Sequence, residues 1–328
     1  MRRTRFRLTA AIAIVALAGG VGFGRVSAAD APAKTTLNVG VIKIGALADI
    51  DAAQALGYFA KQGLEVNLTT ANNGNDLLTA LQSGKLDIAL AIPGVAMRAR
   101  EKGYRVSLVY QNELAHAKAP DTGALIVPAG SSITSIKGLA GKKVAHAGIG
   151  TQAWAAVRYV EQKAGLDPAS VQEVEISYPQ MPGVLRQGLV DAVVSVDPFT
   201  SQMLEDKQGR VLSWVYVDAV RNMPIGSFWA ADDWLAKHAA DAKRFAAAMH
   251  GAMTYLNAHP ADAKKYVADY TGLKAEIVDK MTPIRWDDRV DKAAWRDVGQ
   301  MLMTTGVLQK KPDIDAMIPQ AALDPGRR

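Results

Sequence analysis

The sequence predicts an α/β protein of two lobes with a ligand cleft between them, and three observations carry that expectation. A pattern in the stretch from Leu81 to Pro93 occurs twice: Leu81, Gly84, Asp87, Ile88 and Pro93 are matched further on by Leu185, Gly188, Asp191, Ala192 and Pro198, with identical spacing from Leu to Gly to Asp. Each copy reads as a helix stopped by a left-handed glycine, then a buried strand, then a proline-bearing loop. Strand and helix patterns alternate along most of the chain, which argues for mostly parallel sheets with crossover helices. The 328 residues, 49% hydrophobic and 21% charged, are enough for two cores of ordinary size.

Taken in order, Leu37 to Ile42 reads as a first strand, followed by a turn and a helix with Ala52, Ala55, Leu56 and Phe59 at helical spacing. Leu64, Val66 and Leu68 alternate as a second strand. The run Asn72 to Asp76 supplies turn and N-cap residues for the helix that ends at Gly84. Further strands are predicted at Ile88 to Ile92 and Val106 to Tyr110, after which Gln111 to Thr122 turns polar and reads as a crossing between lobes. The second lobe is expected to hold strands at Ala124 to Val127, Val144 to Ala147, Val174 to Ile176 and Val193 to Val196, with a helix after Gly150. From Val211 to Trp229 the strand-like patches are broken by Pro224 and Gly226, a candidate return crossing. Beyond Asp232 helical spacing dominates, with Phe245, Met249, Met253 and Leu256 on one face.

The first residues have an export character. Arg2, Arg3, Arg5 and Arg7 precede an uncharged apolar run from Leu8 to Phe23, and the small residues around Ala28 suit cleavage, so 1–28 is expected to be a signal peptide and the mature chain periplasmic. Sec export is the default expectation, since Arg2, Arg3 and Phe6 match a twin-arginine signal only in part. Loss of 1–28 would lower the formal charge from +6 to +1, leaving 33 basic against 32 acidic residues. No nucleic-acid partner is expected from a chain so balanced. The absence of cysteine excludes disulfides, thiol nucleophiles and cysteine-based metal sites.

Catalytic motifs are lacking. Gly148, Gly150 and Ala153 have the spacing of a dinucleotide turn, but the acidic residue that should end the next strand is missing, since Glu175 lies within it. The five histidines show no metal-ligand spacing, and Asp87 and Asp191, at strand starts, are expected to cap local backbone. No cofactor, metal or catalytic residue is predicted. Ligands of parallel sheets gather at the carboxyl ends of strands. There the sequence offers Lys43, Ile44 and Gly45, then Asn73 and Asn75, then Pro93 and Gly94 from the first lobe. The second lobe offers Gly150, Thr151, Gln152, Trp154, Gln180, Asp197 and Phe199, and Trp229 joins them on the return segment. Small residues, hydrogen-bonding groups and a few aromatic faces describe a binding cleft.

These residues resemble the extracytoplasmic substrate-binding proteins of ABC transporters, in the branch of nitrate, alkanesulfonate, taurine and thiamine-pyrimidine-precursor binders. The resemblance rests on Gly57, Tyr58, Phe59, Gly63 and Leu64; on Ser83, Gly84, Asp87 and Ile88; on Leu139, Gly141, Lys142, Lys143 and Val144; and on Gly188, Asp191, Ala192 and Asp197-Pro198-Phe199. It implies the type II-like two-lobed periplasmic-binding-protein fold, each lobe a mixed, mostly parallel sheet flanked by helices. The expected division is 29–115 for the first part of lobe 1, 116–222 for lobe 2 and 223–328 for the return and C-terminal helices, with hinges near Gln111 to Thr122 and Val217 to Trp229. It also implies a monomer that captures a small anionic organic molecule of sulfonate, nitrate, taurine or aromatic-acid type and delivers it to a membrane permease and its ATPase. The related pyrimidine synthases are the alternative, together with a ligand sensor on the same fold. Those synthases carry a cysteine-rich motif that this chain lacks, so an enzyme is not expected.

Overall fold

The computed structural model describes residues 34–323; the segment 1–28 expected to be a signal peptide lies outside them. Among the described residues ten strands form two five-stranded mixed sheets flanked by helices. The first contains β1 (Thr35–Val41), β2 (Leu64–Thr70), β3 (Ile88–Leu90), β4 (Val106–Gln111) and β10 (Ser227–Ala231), in the order β2-β1-β3-β10-β4. The second contains β5 (Gly123–Pro128), β6 (Lys143–His146), β7 (Gln172–Glu175), β8 (Ala192–Val196) and β9 (Gly209–Ser213), in the order β7-β6-β8-β5-β9. In each sheet three strands run parallel and the fourth in line is antiparallel to both its neighbours. The antiparallel strand is in each case the one the chain lays down directly after crossing between sheets.

The doubled sequence pattern has a doubled structure. Gly84 and Gly188 both take positive φ, 70° and 67°, and end their helices. Asp87 Oδ2 then accepts from the Asn38 amide of β1 at 2.8 Å, and Asp191 Oδ2 from the Lys143 amide of β6 at the same distance. Both acids thus tie a strand start to its neighbour, the backbone role their position implied.

Two crossings join the sheets, 112–122 and 214–226, and they pair with each other through a bridge between Leu114 and Pro224. A C-terminal segment adds a third strand-like partner at Glu113–Trp286. The helix Asp232–Ala258 buries Phe245, Met249, Met253 and Leu256, as their spacing predicts, and Phe245 packs on Phe59 and Phe228 with ring centroids 5.6 and 5.3 Å away. The return hinge read as Val217 to Trp229 is corrected at its end: Trp229 is fully buried in β10, edge-on to Trp295, because its indole completes the first sheet's core.

Candidate functional site

A cavity of about 160 Å³ opens where the carboxyl ends of β1, β3, β6 and β8 converge on the two crossings. Ile42, Ile44, Ile92 and Val95 come from the first lobe, and Gly148, Thr151, Val196 and Asp197 from the second. Glu113, Thr122, Ile225 and Gly226 come from the crossings, and Met281 and Ile284 from the C-terminal region. This is the crevice in which open α/β sheets place ligands, outside the strand ends.

Six of the residues anticipated from the sequence line it: Ile44, Gly45, Asn73, Asn75, Thr151 and Asp197. Asn73 caps the helix Gly74–Gln82, its Oδ1 accepting from the Asp76 amide at 2.9 Å. Thr151 caps the helix Gln152–Lys163, accepting from the Trp154 amide at 3.3 Å and donating to the Gly148 carbonyl at 2.8 Å. Both caps fix the shape of the wall and have part of their polar capacity committed.

The other nine sit elsewhere. Lys43 is exposed, its ammonium 4.1 Å from the centre of the Tyr270 ring. Pro93 and Gly94 open the buried first turn of the helix Pro93–Glu101. Gln152 is fully buried and spans the lobes: its Oε1 accepts from the Gly94 amide at 2.8 Å, and its Nε2 donates to the Pro224 carbonyl at 2.8 Å. A Cβ on Gly94 would lie 3.0 Å from that of Gln152, so glycine is what permits the approach. Gly150, at φ 74°, accepts from Arg98 Nη1 across the same interface at 3.1 Å. Trp154 packs half-buried beneath the Arg158 guanidinium, 4.6 Å from its ring centre. Gln180 is exposed and bonds Ser177, and Phe199 is half-buried at the start of the helix Phe199–Glu205. Trp229 donates its indole N–H to the Ala91 carbonyl at 3.0 Å within the core.

Sequence reasoning missed the acidic end of the cavity. Glu113 and Thr122 line it from the first crossing, with Tyr178 from the second lobe and Tyr216 from the second crossing. Asp121 and Asp49 are buried close by, without lining it. Burial pushes the carboxyls of Asp49 and Glu113 up to about 8, and that of Asp197 up to about 6; Asp121 is raised as well. Asp197 Oδ1 accepts from the amide and hydroxyl of Ser201 at 2.9 and 2.7 Å, whereas its Oδ2 has no partner. The signal the sequence carries is the polar run from Gln111 to Thr122, whose residues serve both as crossing and as lining. Behind the Ala147 wall, His146 is 2% exposed, and burial lowers its imidazole to about 3, so it is neutral.

The family model described as NMT1/THI5 like matches residues 47–263. The 4-amino-5-hydroxymethyl-2-methylpyrimidine phosphate synthase of Schizosaccharomyces pombe is 27% identical over 213 residues, covering 61% of this chain and 59% of that protein. The chain therefore spans less than two thirds of that curated relative. The alkanesulfonate-binding protein SsuA of Xanthomonas axonopodis pv. citri, bound to MOPS, superposes with a TM-score of 0.73 at 19% identity, over 88% of this chain and 99% of that one. The periplasmic nitrate-binding protein NrtA of Synechocystis PCC 6803 gives 0.72 at 14% identity, over 88% and 87%. Structural likeness at such identities speaks for the fold. The chain thus belongs to the NMT1/THI5-like family and has the two-lobed fold of periplasmic binding proteins.

Proposed function

We propose that the protein is the periplasmic substrate-binding component of an ABC importer, holding a small organic molecule between its lobes for delivery to a membrane permease. The observation that carries this reading is the cavity itself, walled from both lobes and bridged beside it by Gln152. Lobes so arranged close on a ligand by bending at their crossings. The division then falls within those crossings, near 115/116 and 222/223. Among the described residues no helix is long and apolar enough to cross a membrane. The lining contains neither lysine nor arginine, so a sulfonate or nitrate would have to be held without the bidentate clamp that such anions favour.

The curated pyrimidine synthase relative supports a second reading, in which the same cleft performs chemistry. One experiment separates the two. Residues 29–328, unfolded and refolded to strip ligand, are heated against sulfonates, nitrate, taurine, aromatic carboxylates and pyrimidines, and each hit is recovered and identified by mass. A ligand at a hundred times its dissociation constant adds about 2.7 kcal/mol, and a binding protein returns it chemically unchanged. A converted ligand establishes the enzyme, and a panel without a hit removes the support for either.

A further inference from the structure

We infer that the cavity selects a small organic cation, an amidinium or protonated amine on a single-ring apolar body, with the cationic nitrogen against Glu113 and Asp197. This rests on the proposal that the cavity is the ligand site. Three features converge on it.

The first is an imbalance of charge. Some shielded acids have cationic partners, Glu173 with Arg158 at 3.1 Å and Asp287 with Arg285 and Arg289 at 3.2 and 2.6 Å, whereas Asp49, Asp121 and Glu161 are buried with no ion pair among the described residues. Glu113 and Asp197, 4% and 6% exposed, face a lining without a basic residue. A buried carboxyl is costly to ionise without a counter-charge, and a ligand cation would supply it. The second is a pre-oriented carboxyl. Asp197, which lines the cavity, has one oxygen fixed by Ser201, while its Oδ2 lies buried rather than open to the cavity, with the Thr282 backbone among the groups that favour its ionised form. The carboxyl is therefore oriented before any ligand arrives. Glu113 has only a long contact from the Thr122 hydroxyl, 3.4 Å.

The third is the apolar lining and the volume. Ile42, Ile44, Ile92, Val95, Met281 and Ile284 line the cavity with branched or flexible apolar groups. At about 160 Å³ the space compares with cavities of about 150 Å³ that admit benzene. An apolar ring bearing a donor-rich cation suits both the apolar lining and the acids.

The test is a series of nearly constant shape and changing charge: benzamidine, benzamide and benzoate, titrated calorimetrically into stripped 29–328 at neutral pH. Benzamidine is expected to bind at least about tenfold more tightly than either analogue, the size of one charge-assisted hydrogen bond over a neutral one. Glu113→Gln and Asp197→Asn should each cost benzamidine about tenfold and leave benzamide within about threefold. If one variant fails to fold, the other carries the comparison. Benzoate binding as well as benzamidine, or no binding of benzamidine by the folded wild type, overturns the cation assignment. Ile92→Trp, which fills the cavity, tests the underlying site: loss of every ligand found in the wider panel keeps the cavity as the site even if the cation class has failed. Retention of such ligands would place binding elsewhere.

Discussion

Glu113 lies buried within the first crossing and Asp49 beside it, and their raised carboxyls give stability a pH dependence of definite sign. Each holds its proton in the folded chain up to about pH 8, while the unfolded chain releases it near 4.5 and 3.8. Between those values the folded state binds more protons, so stability is greatest at the acid end of the window and falls as pH rises. The buried His146 acts oppositely, but only between about 3 and its unfolded value of 6.5. Glu161, raised to about 7, adds to the carboxyl effect below that point. Above about pH 7 Glu161 fades, and the carboxyls of Asp49 and Glu113, with the raised Asp121 beside them, carry the decline. Urea unfolding should show stability declining there, with a limit of about 1.4 kcal/mol per pH unit for each fully protonated group. Glu113→Gln should flatten the decline and raise stability at pH 8; an unchanged slope would mean that Glu113 titrates normally.

The helix Gln152–Lys163 shows what an element's sequence discloses and what it withholds. Its start was legible because Thr151 is a local N-cap and the apolar face has helical period, both properties of neighbouring residues. The same local reasoning, a position after a strand end, points Gln152 at the ligand. Its partners, the Gly94 amide and the Pro224 carbonyl, lie 58 and 72 residues away, and no local pattern records them. Trp229 was misplaced similarly, since its partner Ala91 is 138 residues distant. Gln152→Ala removes one acceptor and one donor that hold the lobes together. Small-angle scattering of the ligand-free protein should show a larger radius of gyration for the variant, and any cleft ligand should bind several-fold more weakly. Equal radii with unchanged affinity would show that the bridge contributes nothing to closure.

Across the whole molecule, the two sheets share one strand arrangement, and the parallel part of each was legible from alternating periodicity and from the doubled Leu-Gly-Asp pattern. The insertion of β5 and β10 as antiparallel strands was not, because a strand's sequence specifies its buried face more strongly than its neighbour's direction. Nor was the third strand at the hinge. Arg285 there joins three segments: Nη1 donates to the Ala115 carbonyl of one crossing and to Asn222 Oδ1 of the other, both at 2.7 Å, while its own carbonyl accepts from the Leu114 amide at 3.2 Å. The crossings are consequently braced by the C-terminal region as well as by each other. Arg285→Ala should weaken this brace without disturbing either sheet. Hydrogen exchange should accelerate about tenfold at the Leu114, Ala115 and Ile225 amides, the effect of roughly 1.4 kcal/mol on local opening. The amides of Val39 and Val144, deep in the two sheets, should keep their wild-type rates. Acceleration at all five positions would instead indicate lost global stability, and no acceleration at the crossings would mean that their pairing alone holds the hinge.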